Sequence, residues 1–386
     1  MERLLPLLCF VVSGCFLSLE KGTMPSPDTD GGREALDEMM DSDQSEPLEI
    51  PGDPDAENIA DALDGADAIM DSPAEDHAEE PALPPFACRR AVMIDNSLNP
   101  STLTDFQVLV DVPYRDSMKL DFADLRFGPS DLSDTFSYWI EEANEGEIAL
   151  VWVKVPLIEA SSITTMYLHY ADPDAAYEGD PEAVFIFHDD FESATLEKWT
   201  VLTDPSAWGV SESQSRSGSY SLSIGGIEPS HNFIVVDWLD MEDLAVDAWW
   251  RYNDADPDLA LMVRCSTSLP MDAYLMNLEG ESGYCLARRV ASGWDRLESN
   301  VGAPETNRWI KVTAEIHGTS MRGLLNDEKV LPESAGWSDV GTMFASGAIG
   351  LDAWRVPGMW WIDDVRVRKT ANPMPGLSMG AEECVE

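Results

Sequence analysis

Two acidic pairs, Asp189-Asp190 and Asp363-Asp364, interrupt runs that otherwise read as buried strand, and no other side chains in this chain are better placed to do chemistry. Side chains alternate across a strand, so Phe187, Asp189 and Phe191 share one face, as do Trp361, Asp363, Val365 and Val367. A carboxylate on an apolar face is costly unless something satisfies it. A structural calcium ion, which takes six to eight oxygens, would satisfy Asp189 and Asp363 together, with Asp190 and Asp364 as adjacent ligands. The competing expectation is that these groups accept backbone N–H bonds or pair with an arginine such as Arg366.

Catalysis has less to stand on. A glycosidase needs two carboxylates roughly 5–10 Å apart, and the nearest run, Asp237-Trp238-Leu239-Asp240-Met241-Glu242, scatters its acids over both strand faces. His169, His188, His231 and His317 have no serine elbow or paired nucleophile beside them in sequence, and each reads as a surface or strand-packing residue. No glycine-rich phosphate loop precedes a helix, so a nucleotide partner is not expected. Aromatics point instead to binding. The chain has 13 tryptophans, and Trp249-Trp250 and Trp360-Trp361 place neighbours on opposite strand faces. One of each pair should pack inward while the other could meet a sugar ring or a partner protein.

The elements that must position these groups are short strands. Arg90 to Ile94, Phe106 to Val112, Tyr138 to Glu141, Ile148 to Val155 and Ile163 to Tyr170 form a first set. In Phe106 to Val112 the residues Phe106, Val108, Val110 and Val112 share one face, as a half-buried strand requires. From Phe187 a second set continues through Gly218 to Ile224, Leu244 to Arg251, Leu259 to Ser266, Tyr274 to Leu278, Tyr284 to Arg289, Arg308 to Ile316, Ala348 to Leu351 and Trp360 to Arg368. Short strands at close spacing, without a helical period, indicate β-sandwiches. In the first set Asp124, Arg126 and Glu141 are charges within apolar strands, expected to form an internal salt bridge.

Charge and composition separate off the N-terminal part. The formal net charge is -48, and residues 20–80 alone hold 21 acidic and 2 basic side chains. Such a surplus repels phosphates, which excludes nucleic acid as a partner. Residues 16–85 are poor in aromatics and rich in Asp, Glu, Pro, Ser and Gly, the composition of a disordered, self-repelling tether. Before them, the apolar run Leu4 to Phe10 is too short to span a bilayer and reads as an export signal. Cys88, Cys265, Cys285 and Cys384 lie beyond the tether, and disulfides among them have three possible connectivities.

The signal ends in Val12-Ser13-Gly14-Cys15, which resembles the bacterial lipobox. That resemblance implies a lipidated Cys15, a membrane held through acyl chains, and an envelope location. Phe16 after the cysteine favours the outer membrane in a Gram-negative cell. Asp124-Leu125-Arg126-Phe127, Tyr138-Trp139-Ile140-Glu141, Val151 to Pro156 and Tyr167-Leu168-His169-Tyr170 follow one another in an order that resembles the family named domain of unknown function 2341. The second region, with Asp189-Asp190-Phe191, Gly218 to Leu222, Trp309 and Trp361 to Val365, is similar to the concanavalin A-like jelly roll, in which first and last strands are often neighbours and a structural calcium between them is common. Residues 368 to 383 also resemble the way chains of the first family end.

The reading is therefore all-β: a signal peptide (1–14), a tether (15–86), a β-sandwich (87–187), a concanavalin A-like jelly roll (188–372) and a C-terminal tail (373–386). It implies a non-catalytic surface protein whose jelly roll grips polysaccharide. The alternative is a structural or adhesive envelope component holding a protein. Less expected is a carbohydrate-active hydrolase or lyase.

Overall fold

The computed structural model describes residues 85–385, apart from 228–229, 255, 257, 292, 299–304 and 333–335. The signal, Cys15 and nearly all of the tether thus lie outside the described residues. Apart from a four-residue helix and one short 3-10 turn, every described element is a strand.

The first sandwich begins with β1 (Cys88–Asp95), β2 (Leu103–Pro113), β3 (Arg126–Gly128), β4 (Tyr138–Asn144), β5 (Ile148–Ile158) and β6 (Ile163–Tyr170). The face read from β2 is the buried one: Phe106, Val108, Val110 and Val112 are 0–5% exposed. They meet Val92, Ile94, Leu168 and Tyr170 of the facing sheet, so alternation on both sheets builds one apolar layer. A short helix, α1 (Pro181–Val184), is capped by the Asp180 carboxylate on the Glu182 amide and ends the segment.

The second sandwich comprises β7 (Phe187–Asp189), β8 (Thr200–Val201), β9 (Trp208–Ser211), β10 (Ser221–Ile227), β11 (Asn232–Met241), β12 (Leu244–Tyr252), β13 (Asp258–Cys265), β14 (Ala273–Glu279), β15 (Tyr284–Val290), β16 (Gly293–Arg296), β17 (Ile310–His317), β18 (Ser320–Leu325), β19 (Lys329–Leu331), β20 (Ser338–Asp339) and β21 (Gly347–Arg368). Its organiser is β21, 22 residues long. The first half of β21 pairs with β11 and β13, and the second half with β7, β10 and β12. One strand thus joins two leaves, and the side chains between them form the main core. The two tryptophan pairs contribute one ring each to that core: Trp250 and Trp360 are fully buried and meet edge-to-face at 5.0 Å. The sequence reading has two separate strands here, Ala348 to Leu351 and Trp360 to Arg368; the chain instead runs through as one strand that joins the leaves.

The expected C-terminal tail is a strand. After β21 the chain returns to the first sandwich as β22 (Gly376–Cys384), antiparallel to β1, with Cys384 opposite Cys88 and bonded to it. The second sandwich is therefore an insertion between β6 and β22, and residues 376–384 belong with 87–187. Most of β22 is exposed, so it has little of the apolar alternation that marks a strand in sequence. Cys265 and Cys285 remain free and buried, and burial pushes both thiols up to about 12, far from nucleophilic.

The two sandwiches meet over a buried layer of charge. Arg366, 1% exposed in its side chain, donates to Asp247 at 3.0 Å and across to Glu141 of β4 at 2.7 Å. Arg368 bonds the same Asp247 at 3.1 Å and Glu315 at 2.7 Å. Trp139, Trp152 and Phe185 of the first sandwich cover the Arg366 guanidinium at 5.1–5.8 Å. Burial alone would raise the Asp247 and Glu141 carboxyls, but the surrounding arginines and Lys311 outweigh it and hold both below the usual carboxylate range. The internal salt bridge expected among Asp124, Arg126 and Glu141 is not formed. Asp124 caps the amides of Lys119 and Ala171, Arg126 pairs with Glu178 at 2.9 Å, and Glu141 serves the junction.

Candidate functional site

The four aspartates singled out in sequence sit where strand parity puts them, and β7 does pair with β21, Asp189 opposite Val365. Their partners are protein donors. Asp189 accepts the Trp199 indole N–H at 2.7 Å and the Phe191 amide at 3.1 Å. Asp190 accepts the Glu192 amide at 3.3 Å. Asp363 accepts the amides of Arg216, Ser217 and Asp364 at 2.7–3.3 Å, and Asp364 takes the Arg216 guanidinium and the Ser217 hydroxyl. This donor set does not fit calcium. N–H groups and a guanidinium converge where a cation would need oxygens, and among the described residues no three of these carboxylates bring their oxygens within 4.8 Å of one another. The one such grouping, Cys88, Glu382 and Cys384, contains the disulfide sulfurs and offers no thiolate. Burial, then the neighbouring Asp364, pushes the Asp363 carboxyl up to about 7 despite its amide bonds.

The tryptophan expectation needs correcting for Trp250 and Trp360, which are wholly within the core and cannot meet a ligand. Their partners are also engaged. Trp361 is 7% exposed and gives its indole N–H to Ser213, and Trp249 is half-buried under the Arg216 guanidinium at 4.0 Å. Asp237, Asp240 and Glu242, the nearest carboxylate run, are exposed at and just beyond the end of β11 and line none of the hollows described below.

A different site is built on the outer face of the leaf formed by β11, β13, β14, β15 and the first half of β21. Alternation directs Phe233, Val235, Ala260, Met262, Leu275 and Ala287 to that face, where they form a second apolar cluster. At one end of the leaf the same parity brings polar residues forward: Asp258 on β13, Asn277 on β14, Arg289 on β15, Asp352 on β21, and His231 just ahead of β11. With Trp354, two residues after Asp352, and Trp294 on β16, they line a hollow of about 230 Å³. Asp258, Glu279 and Trp354 also line an adjoining hollow of about 430 Å³ with Asp256, Ser282 and Arg355.

The polar end is ordered by stacking. The His231 ring lies parallel to Phe233 at 5.4 Å and against Trp354 at 4.5 Å, while the Arg289 guanidinium covers Phe233 at 5.1 Å. His231 Nδ1 is 2.9 Å from Asp352, and Arg289 Nη1 is 3.1 Å from His231 Nε2 and 3.5 Å from Asp352. A tautomer with the proton on Nδ1 satisfies both histidine contacts. Arg289 is 6% exposed, and its Nε has no protein partner. A buried donor left open at the wall of a hollow is costly unless something else accepts from it. Asp258 is half-buried and bonded to the Asn277 amide; burial first, then Asp352 and Glu279, push its carboxyl up to about 6. Trp294 is 38% exposed at the rim. In sequence His231 reads as a surface or strand-packing residue, and Asp258, Asn277, Arg289 and Asp352 singly carry no signal, since each stands alone in its strand. The available signal was Asp352-Ala353-Trp354 (an acid and an aromatic on one strand face).

A family model described as "Domain of unknown function (DUF2341)" matches residues 121–203. This span covers β3 to β8, the latter half of the first sandwich and the entry to the second. No curated protein sequence matches the chain. Among solved structures, the chain is similar to a Bacillus subtilis carbohydrate binding module, CBM66, at 15% identity, over 45% of this chain and 97% of that one, with a TM-score of 0.36. It is also similar to a B. subtilis protein of unknown function with a galectin-like fold, at 10% identity over 48% and 96%, with a TM-score of 0.37. A third is domain 4 of AbnA, an arabinanase from Geobacillus stearothermophilus, at 13% identity over 48% and 93%, with a TM-score of 0.35.

Proposed function

We propose that this protein is a carbohydrate-binding protein of the cell envelope, anchored through lipid on Cys15, which grips polysaccharide in the His231–Arg289–Asp352 cleft without cleaving it. The observation that carries this is the unpartnered Arg289 Nε, held in a hollow of otherwise paired polar groups beside the indoles of Trp354 and Trp294. A sugar ring presents hydroxyls that both donate and accept along its edge, and an apolar face that packs on an aromatic ring. Arg289 and His231 would orient its oxygens, Asp352 and Asp258 would accept from its hydroxyls, and Trp354 would take its face. The non-catalytic reading rests on Asp352 being tied to both His231 and Arg289, which favours a fixed acceptor over a group that must exchange protons.

A panel of immobilised polysaccharides tests this with the full chain and Arg289→Ala. Retention of the wild type, weakened at least tenfold in the variant, supports it. Equal retention of both proteins moves binding away from the cleft, and sugar released on incubation would make the protein an enzyme. Loss of membrane association in Cys15→Ser tests the anchor separately.

A further inference from the structure

We infer that the cleft is selective for a glycan bearing a protonated amine, with the ammonium received by Asp258, and that it discriminates against acidic sugars. The inference rests on the carbohydrate reading above and names the chemical class of its ligand. Its basis is the charge census of the two adjoining hollows. Among the described residues four carboxylates face them, and three have a cationic or imidazole partner: Asp352 on β21 has His231 and Arg289, Glu279 at the end of β14 has Arg296 on β16, and Asp256 ahead of β13 has Arg355 on β21. Asp258, between them on β13, is bonded to the neutral Asn277 amide and feels His231 weakly, but forms no ion pair.

The surplus is therefore one carboxylate, at the wall shared by both hollows. Burial first, then repulsion by Asp352 and Glu279, raises its carboxyl to about 6. An ammonium there would remove that repulsion and accept the position as a charge-assisted pair. A uronate or sulfate would add to it. Arg289 Nε supplies the complementary half, an N–H donor for a ring or hydroxyl oxygen of the same sugar.

The test is calorimetric titration of the full chain at pH 7 with matched β-linked tetrasaccharides of glucosamine, N-acetylglucosamine, glucose and glucuronate. The inference expects glucosamine to bind about tenfold tighter than its N-acetylated or neutral counterparts, and glucuronate to bind weakest. A carboxyl near pH 6 is ionised at pH 7 and protonated at pH 5, so the glucosamine preference should fall about tenfold across that interval. Asp258→Asn should abolish both the preference and its pH dependence, bringing the glucosamine and glucose tetrasaccharides to the same affinity at pH 5 and pH 7. Glucuronate binding as tightly as glucosamine overturns the charge assignment alone, as does an amine preference that survives Asp258→Asn. Silence from all four, with retention on no other polysaccharide, removes the carbohydrate reading and the inference with it.

Discussion

Two faces of the second sandwich carry buried charge, and they treat it in opposite ways. On the face turned to the first sandwich, both Asp247 oxygens take donors from Arg366, Arg368 or Thr313. Glu141 and Glu315 complete the set with ion pairs of 2.7 Å to those arginines, and three aromatic rings close over Arg366. On the cleft face, Arg289 keeps Nε unpartnered and Asp258 lacks a counter-charge. A network whose carboxylates are all paired, with only Arg366 Nη1 left without an acceptor, fixes geometry; one with an open donor and a carboxylate lacking a counter-charge at the wall of a hollow is poised for something not yet present. The difference marks the junction as architecture and the cleft as the place where function resides.

Removing Arg366 should have the largest effect, because it takes one arginine from Asp247 and the nearest cation from Glu141 in a buried layer. Arg366→Ala is expected to cost about 3–5 kcal/mol in urea unfolding. A loss below about 1 kcal/mol would mean that the junction is wetter and looser than its aromatic cover implies. Next comes the disulfide that fastens β22 to β1. Cys88→Ser with Cys384→Ser should cost about 2–5 kcal/mol by the same measurement. An unchanged midpoint would show that strand pairing alone closes the first sandwich around its insertion.

The comparison sharpens with pH. Burial and Asp364 raise the Asp363 carboxyl from its ordinary 3.8 to about 7. The stability tied to its proton is complete below about pH 3.8 and is lost as pH rises through 7. Asp247 is lowered instead, so its contribution is present above about pH 3.8 and disappears only on acidification below that. The unfolding midpoint should therefore fall between pH 5 and 8, with a flatter slope in Asp363→Asn; an identical slope in the variant would assign the dependence elsewhere. Asp258→Asn should not lower stability at pH 7, since that carboxylate is held by little within the protein and burial, Asp352 and Glu279 disfavour its charge. A loss of 2 kcal/mol or more would make Asp258 a structural member and the contrast between the two faces false.

Much of the fold was legible because alternation is a local signal. The burial of β2 and β5 and the all-β class follow from residues two apart. What escaped depends on long-range pairing. β11 was missed although Phe233 to Val236 is apolar, since it is buried on both faces and does not alternate. β22 escaped because its partner β1 lies almost 300 residues away and it is largely solvent-exposed. The cleft was invisible for the same reason. Asp258, Asn277, Arg289 and Asp352 come from four strands, and only the register of β21 against β13, and of β13 against β14, reveals that they share a face. The four aspartates that stood out in sequence did so because they interrupt buried strands, and they are answered by backbone amides, an indole, a hydroxyl and the Arg216 guanidinium.

Hydrogen exchange on the full chain, with and without a saturating polysaccharide chosen from the binding panel, addresses the central claim most directly. The account predicts slowed exchange in residues 273–279, 284–290 and 350–355, with the junction strands unchanged. Protection confined to the first sandwich or to the Trp249 face, with none at these segments, would contradict it.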